Sequence, residues 1–248
     1  MIIIKSQEEI EVMAEGGKIL AGALKHIEAM VEPGITTMEL DKAAEAFIVR
    51  QGAKPAFKGY QKFPYSLCAS VNDNVVHGYP SNTPLKEGDI VGLDFGVLYK
   101  GYNTDMALTV GVGQISFEAK RLLKVTEKAL RLGIKKARDG VMTGDIGNTI
   151  QRHIEDQGFG VVRTLYGHGI GKKVHEDPYV PNFGKRATGI TLKEGMVICI
   201  EPMVTMGDYN LKRSDDGYGF ATKDGSLAAH FEHTLAITRD GCRVLTQL

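Results

Sequence analysis

The sequence predicts an α+β fold of two similar halves, each two helices followed by strands, meeting around a central antiparallel sheet. Three observations predict it. LKEGDIVGLD (85–94) and LKEGMVICIE (192–201) align without a gap at an offset of 107, which sets Asp94 over Glu201. PGITTMEL (33–40) matches DGVMTGDI (139–146) at an offset of 106, and that offset also carries Gln51-Gly52 onto Gln157-Gly158. Helix-start signals and apolar runs recur around these segments in the same order. The halves, roughly 1–112 and 113–248, are joined by the short GVGQIS, so a single fused domain is expected.

Ser6-x-x-Glu9 is a capping box, and it opens a helix on which Ile10, Met13, Gly17 and Leu20 recur at helical spacing. This helix is expected to run to about residue 31, before Pro33-Gly34. Thr36-x-x-Glu39 caps a second helix that Gly52 ends, and Ser116 and Thr143 open the corresponding pair in the second half. VGLDFGVLYKGYNTDMALTV (91–110) reads as a hairpin. Folded about Tyr99 and Lys100, it pairs residues whose numbers sum to 199, which sets Asp94 directly opposite Asp105 on an open face shared with Gly92 and Gly96. MVICIE and FEHTLAITRD supply further strands, with Glu201 beside Val197 and Cys199 on one face and Glu232 beside Thr234 and Ala236.

Composition narrows the classes. With 43% hydrophobic residues, 24% charged residues and 30 basic against 30 acidic side chains, no overall field draws the chain to nucleic acid or to an anionic membrane. The start, MIIIKSQEEIEVM, reads as neither a signal peptide nor a spanning helix, so a cytoplasmic protein is expected. Cys68, Cys199 and Cys242 form no CxxC and are expected reduced, the first two buried.

Acids inside apolar strands need partners. Like charges paired across a ladder repel, and four carboxylates brought together raise one another's pKa unless cations intervene. His168, between glycines in YGHGIG, offers a nitrogen ligand. Two Asp, one His and two Glu suit Mn, Fe or Co better than a closed structural zinc site. Two such ions about 3.5–4 Å apart clamp a bridging hydroxide and polarise a carbonyl, which is hydrolase chemistry.

These residues stand in SVNDNVVHGYP, DFGVLYKGYNTD, GHGIGKKVHEDP, EPM and FEHT, and with them nearly the whole chain resembles the methionine aminopeptidases. The likeness is to their short, bacterial-like type I form, which has the pita-bread fold. It implies one catalytic domain that removes the initiator methionine from nascent polypeptide N-termini through attack of a metal-bridging hydroxide, preferring a small second residue. It implies a dinuclear centre on Asp94, Asp105, His168, Glu201 and Glu232 that takes Co, Mn, Fe, Zn or Ni as supply dictates. His77 is implied at the scissile bond, His175 at the substrate carbonyl and Glu201 as proton shuttle. Tyr60, Phe63, Cys68 and Tyr218 are the implied methionine pocket, among the nearby aromatics Phe57, Tyr65 and Phe220. Phe63, Val174 and Tyr218 depart from residues frequent in relatives, which bears on pocket shape. A monomer is the family expectation, and the bulky Ile2 implies that the chain keeps its own Met1.

Prolidase and aminopeptidase P share the metal residues, but they usually follow the first Glu with Pro-Gly, where this chain has Pro202-Met203. Type II methionine enzymes carry an insert for which the run from Glu201 to Glu232 has no room. An inactive partner- or RNA-binding relative would have lost ligands, and here all five remain. Lys172-Lys173 and Lys185-Arg186 permit a transient ribosome contact, although a solvated face is the preferred reading. No membrane and no specific nucleic acid is expected as partner.

Overall fold

The computed structural model describes residues 2–248, so the expected retention of Met1 lies outside the described residues. α1 (Gln7–Glu28) and α2 (Thr37–Arg50) begin where the capping boxes put them. Ser6 Oγ accepts the Glu9 N–H while the Glu9 carboxylate takes the Ser6 N–H at 2.8 Å, and Thr36 and Glu39 repeat the exchange. α1 stops short of residue 31 because the Met30 and Val31 N–H groups bond the Ile27 and Glu28 carbonyls, a tightened turn that leaves the α ladder. α3 (Phe117–Lys136) starts after Ser116, whose Oγ accepts the Ala119 N–H. α4 (Thr143–Glu155) opens at Thr143 as expected, although the cap lies one residue earlier. Met142 holds the cap position, its N–H bonded to the Asp145 carboxylate at 3.2 Å, and Thr143 lies inside the helix accepting from Ile190 N.

The duplicated segments make duplicate contacts. Gly34 N–H donates to Leu85 O at 2.8 Å and Gly140 N–H to Leu192 O at 3.0 Å, while Leu85 N–H bonds Ile35 O and Leu192 N–H bonds Val141 O, both at 2.8 Å. Gly34 and Gly140 each turn through positive φ, 101° and 79°, which a side chain would disfavour.

Among the described residues the main sheet has nine strands, antiparallel throughout. Its centre runs Ile90–Tyr99, Tyr102–Gly111, Glu232–Ile237, Val197–Ile200, Gly167–Gly169, Glu176–Val180, with Leu67–Val71 also paired on the first of these. The repeat-related strands Ile90–Tyr99 and Val197–Ile200 thus flank the two innermost ones, the arrangement of a pita-bread fold.

The hairpin turns at Lys100-Gly101, both at positive φ, because a two-residue primed turn matches strand twist. Asp94 therefore pairs with Ala107 and Asp105 with Gly96, and the two acids are diagonal neighbours instead of facing one another as expected. The slip is a whole pleat, so both keep the same face. On the other face Leu93, Phe95 and Val97 join Leu20, Leu24, Leu40 and Ile48 in one buried cluster. Ile198, Ile200, Leu235 and Ile237 join Leu122, Ala129, Ile146 and Ile150 in a second. Each of the Leu, Ile, Val and Phe side chains among them contributes about 1.5–3 kcal/mol on leaving water. α1 lies so close that a methyl on Gly17 would collide with the Leu245 carbonyl.

Candidate functional site

Five adjacent strands each deliver one donor. In order across the sheet these are Asp94, Asp105, Glu232, Glu201 at the residue after Val197–Ile200, and His168 in the middle of Gly167–Gly169. All five are buried. Ala107 is the register partner of both Asp94 and Glu232, so only a methyl group stands between those two carboxylates.

The backbone of each donor is tied. Thr234 Oγ1 donates to Asp105 O at 2.8 Å and accepts the Asp105 N–H at 2.9 Å, while Asn182 Nδ2 donates to Glu201 O at 2.9 Å. His168 Nδ1 lies 2.9 Å from Gly169 O. A carbonyl only accepts, so the proton sits on Nδ1 and the Nε2 lone pair faces the acids, 3.6 Å from Glu201 Oε1 and 4.0 Å from Asp105 Oδ2. The flanking glycines are steric necessities, since side chains there would strike the Cys199 and Asp177 carbonyls.

Charge is uncompensated. Asp94 Oδ1, Asp105 Oδ1 and Glu232 Oε1 are buried without a hydrogen-bond partner, and among the described residues no Lys or Arg pairs with these acids. Burial pushes the Asp94 carboxyl up to about 6. Burial first, then the neighbouring carboxylates, hold Asp105, Glu201 and Glu232 well above the ordinary range. Burial also drives His168 down to about 3, which keeps its ring neutral. Orphaned acid oxygens beside a neutral imidazole form the donor set of a divalent cation, and the residues present fit one.

The donors floor a cavity of about 480 Å³ walled by Phe57, Tyr60, Phe63, Cys68, Tyr218 and Phe220, with His77 and His175 at its sides. Every predicted site residue is brought here. Tyr65 instead packs behind the wall on Phe63, ring centroids 6.1 Å apart. The acid face is not open at Gly96, because Phe57 covers it so closely that a Cβ would come within 2.6 Å. Cys68, the register partner of Asp94, is buried and free, and burial raises its thiol pKa well above the ordinary value.

His77 holds the left-handed conformation, φ 61°, and its ring lies 6.4 Å from Tyr218 and 6.1 Å from Phe220. Burial pushes its pKa down to about 4. The His175 ring approaches that of His168 to 4.2 Å, and its Nδ1 is 2.8 Å from the Tyr60 hydroxyl. Asp216 accepts the N–H groups of Tyr79 (3.0 Å), Tyr218 (2.8 Å) and Gly219 (2.9 Å), joining the two loops that form one wall.

Among the residues that escaped the sequence reading, two meet the site's rings and acids. Tyr79 stacks on Tyr218 with centroids 5.2 Å apart. His230 Nε2 lies 3.6 Å from Glu201 Oε2 and 3.9 Å from Glu232 Oε2. Its signal was its place two residues before Glu232, which in extended chain means the same face.

Residues 11–239 match metallopeptidase family M24. The chain is 52% identical over 246 residues to the methionine aminopeptidase of Clostridium perfringens, covering 99% of each. It superposes on the crystal structure of the methionine aminopeptidase from Thermotoga maritima with a TM-score of 0.98 at 42% identity, covering 100% of both chains. The prolidase from Pyrococcus furiosus is more distant, with a TM-score of 0.81 at 26% identity, 99% of this chain lying on 66% of that one. The rival proline peptidases thus share the fold at much lower identity. The chain belongs to metallopeptidase family M24 and, within it, to the bacterial-type methionine aminopeptidases.

Proposed function

We propose that this single catalytic domain is a metal-dependent aminopeptidase that removes the initiator methionine from nascent polypeptides, preferring a small second residue. The observation that carries this reading is one donor from each of five adjacent strands flooring an aromatic cavity of about 480 Å³. Asp94, Asp105, His168, Glu201 and Glu232 hold two divalent ions, with Co, Mn, Fe, Zn or Ni chosen by supply. Such ions, when bound, neutralise the acids, acidify a water and polarise a carbonyl.

The chain's own residues do the rest. Tyr60, Phe63, Cys68 and Tyr218 enclose the methionine side chain and exclude water, and the floor leaves no room for a residue upstream of that methionine. If the Tyr60 hydroxyl donates to His175 Nδ1, the His175 proton stands on Nε2, ready to bond the substrate carbonyl oxygen as negative charge develops. Glu201 takes the proton of the attacking water on its carboxylate and passes it to the departing amide nitrogen, while His77 steadies that amine. The C–O bond forms first and places negative charge on the carbonyl oxygen, the C–N bond then breaks as that charge collapses and the protonated amine leaves, and no covalent enzyme intermediate is needed.

Among the described residues no helix is long and apolar enough to cross a membrane. The proposed setting is the cytoplasm, as a monomer meeting chains that leave the ribosome. The test is metal-titrated hydrolysis of Met-Gly-Met against Met-Pro and Xaa-Pro peptides. Ion-dependent release of methionine from Met-Gly-Met is expected. Release of Xaa from Xaa-Pro without methionine preference would move the assignment to the proline peptidases, and no turnover with any ion would favour a binding role.

A further inference from the structure

We propose that His230 is a nitrogen ligand of the metal centre, entering from the Glu201–Glu232 side, opposite His168. The inference rests on the reading of this site as a metal centre. His230 is 3% exposed, and its Nε2 is buried with no hydrogen-bond partner. An unpaired ring nitrogen in that position is costly unless something binds it. The nearest candidates are Glu201 Oε2 at 3.6 Å and Glu232 Oε2 at 3.9 Å, both beyond hydrogen-bond range. Atoms that share one cation at bonds of about 2.1 Å stand about 3.0–3.4 Å apart, so a small inward relaxation suffices. Ligand atoms of Glu201, His230 and Glu232 all lie within 4.8 Å of one another, as do those of Asp94, Asp105 and Glu232.

The arrangement mirrors the opposite side. Glu201 Oε1 stands 3.6 Å from His168 Nε2, so its carboxylate lies between two imidazoles, one on each oxygen. His230 is also pinned as Asp105 is. Thr109 Oγ1 donates to His230 O at 2.8 Å and accepts the His230 N–H at 2.9 Å, the exchange that Thr234 makes with Asp105. A backbone held at both polar groups presents its ring in one place, as metal sites require. A second nitrogen would tilt the centre from Mn toward Fe, Co, Ni or Zn.

X-ray absorption at the cobalt edge of the full chain loaded with Co(II) counts imidazoles by their ring scattering. Two imidazoles per two ions are expected in the unsubstituted protein, falling to one in His230→Gln, with the dissociation constant of one ion rising about tenfold or more. One imidazole per two ions in both proteins, with both constants within about twofold, would overturn the inference while leaving the five-residue centre intact. Should His230→Gln fail to fold, the count in the unsubstituted protein decides alone. Failure of the unsubstituted protein to take up cobalt would overturn both.

Discussion

Lys5 Nζ lies 2.7 Å from Glu176 Oε2, with the two side chains only 3% and 5% exposed. The pair ties the segment before α1 to the residue that follows His175, and Glu176 Oε1 also accepts the Lys173 N–H at 3.1 Å. Removing one partner strands the other charge in a site closed to water. Lys5→Met is expected to cost about 3–5 kcal/mol in denaturant unfolding, and Lys5→Met combined with Glu176→Leu to recover most of it. Equal losses in the single and double variants would mean that packing, not charge, dominates there.

Metal-free protein is expected to lose stability as pH rises through the raised pKa values of its buried acids. Asp105, Glu201 and Glu232 keep their protons in the folded chain well above the 3.8 and 4.5 at which they ordinarily release them. The folded state therefore binds more protons, and alkali favours unfolding. Below 6.5 the sign is mixed, because His77 and His168, pushed down from 6.5 to about 4 and 3, make the unfolded state the better proton acceptor. Thermal melts in chelator from about pH 7.5 upward, where the histidines are neutral in both states, separate the acids from the histidines. A falling Tm that manganese flattens is expected, and a level metal-free profile would contradict the account.

Tyr60→Phe removes the hydroxyl 2.8 Å from His175 Nδ1 and little else. The ring then loses the partner that sets its tautomer. kcat is expected to fall about tenfold with KM for a Met-Gly substrate nearly unchanged, since the lost contact acts on developing charge. A rise in KM alone would reassign Tyr60 to side-chain binding.

Asp216→Ala frees three backbone N–H groups that now share one carboxylate. The wall formed by Tyr79 and Tyr218 loosens. KM for methionyl peptides is expected to rise about tenfold, the equivalent of about 1.4 kcal/mol, with a smaller change in kcat. Steady-state kinetics on Met-Gly-Met reads both.

The acids were legible because charge inside an apolar strand is conspicuous, and the capping boxes because their three-residue spacing is a direct contact. The register of Asp94 and Asp105 was misread by one pleat, since Lys100-Gly101 and Tyr99-Lys100 both resemble turns and only the backbone angles separate them. Parity survived that error, so the shared face was still right. Thr143 marked the helix start correctly, although its hydroxyl serves Ile190 and not the cap. His230 and Tyr79 went unread for a different reason. Nothing local marks Tyr79, whose partner Tyr218 is distant in sequence, and the one local sign at His230, its spacing from Glu232, went unused because its nearer partner Glu201 lies far away in the chain.

Asp94 and Asp105 come from the first half of the chain, and His168, Glu201 and Glu232 from the second. Neither half holds all five, so the proposed two-ion centre lies along the seam where the duplicated lobes touch. On the proposed reading, ions bound there would bridge the two lobes, and a loaded seam would act as a rivet.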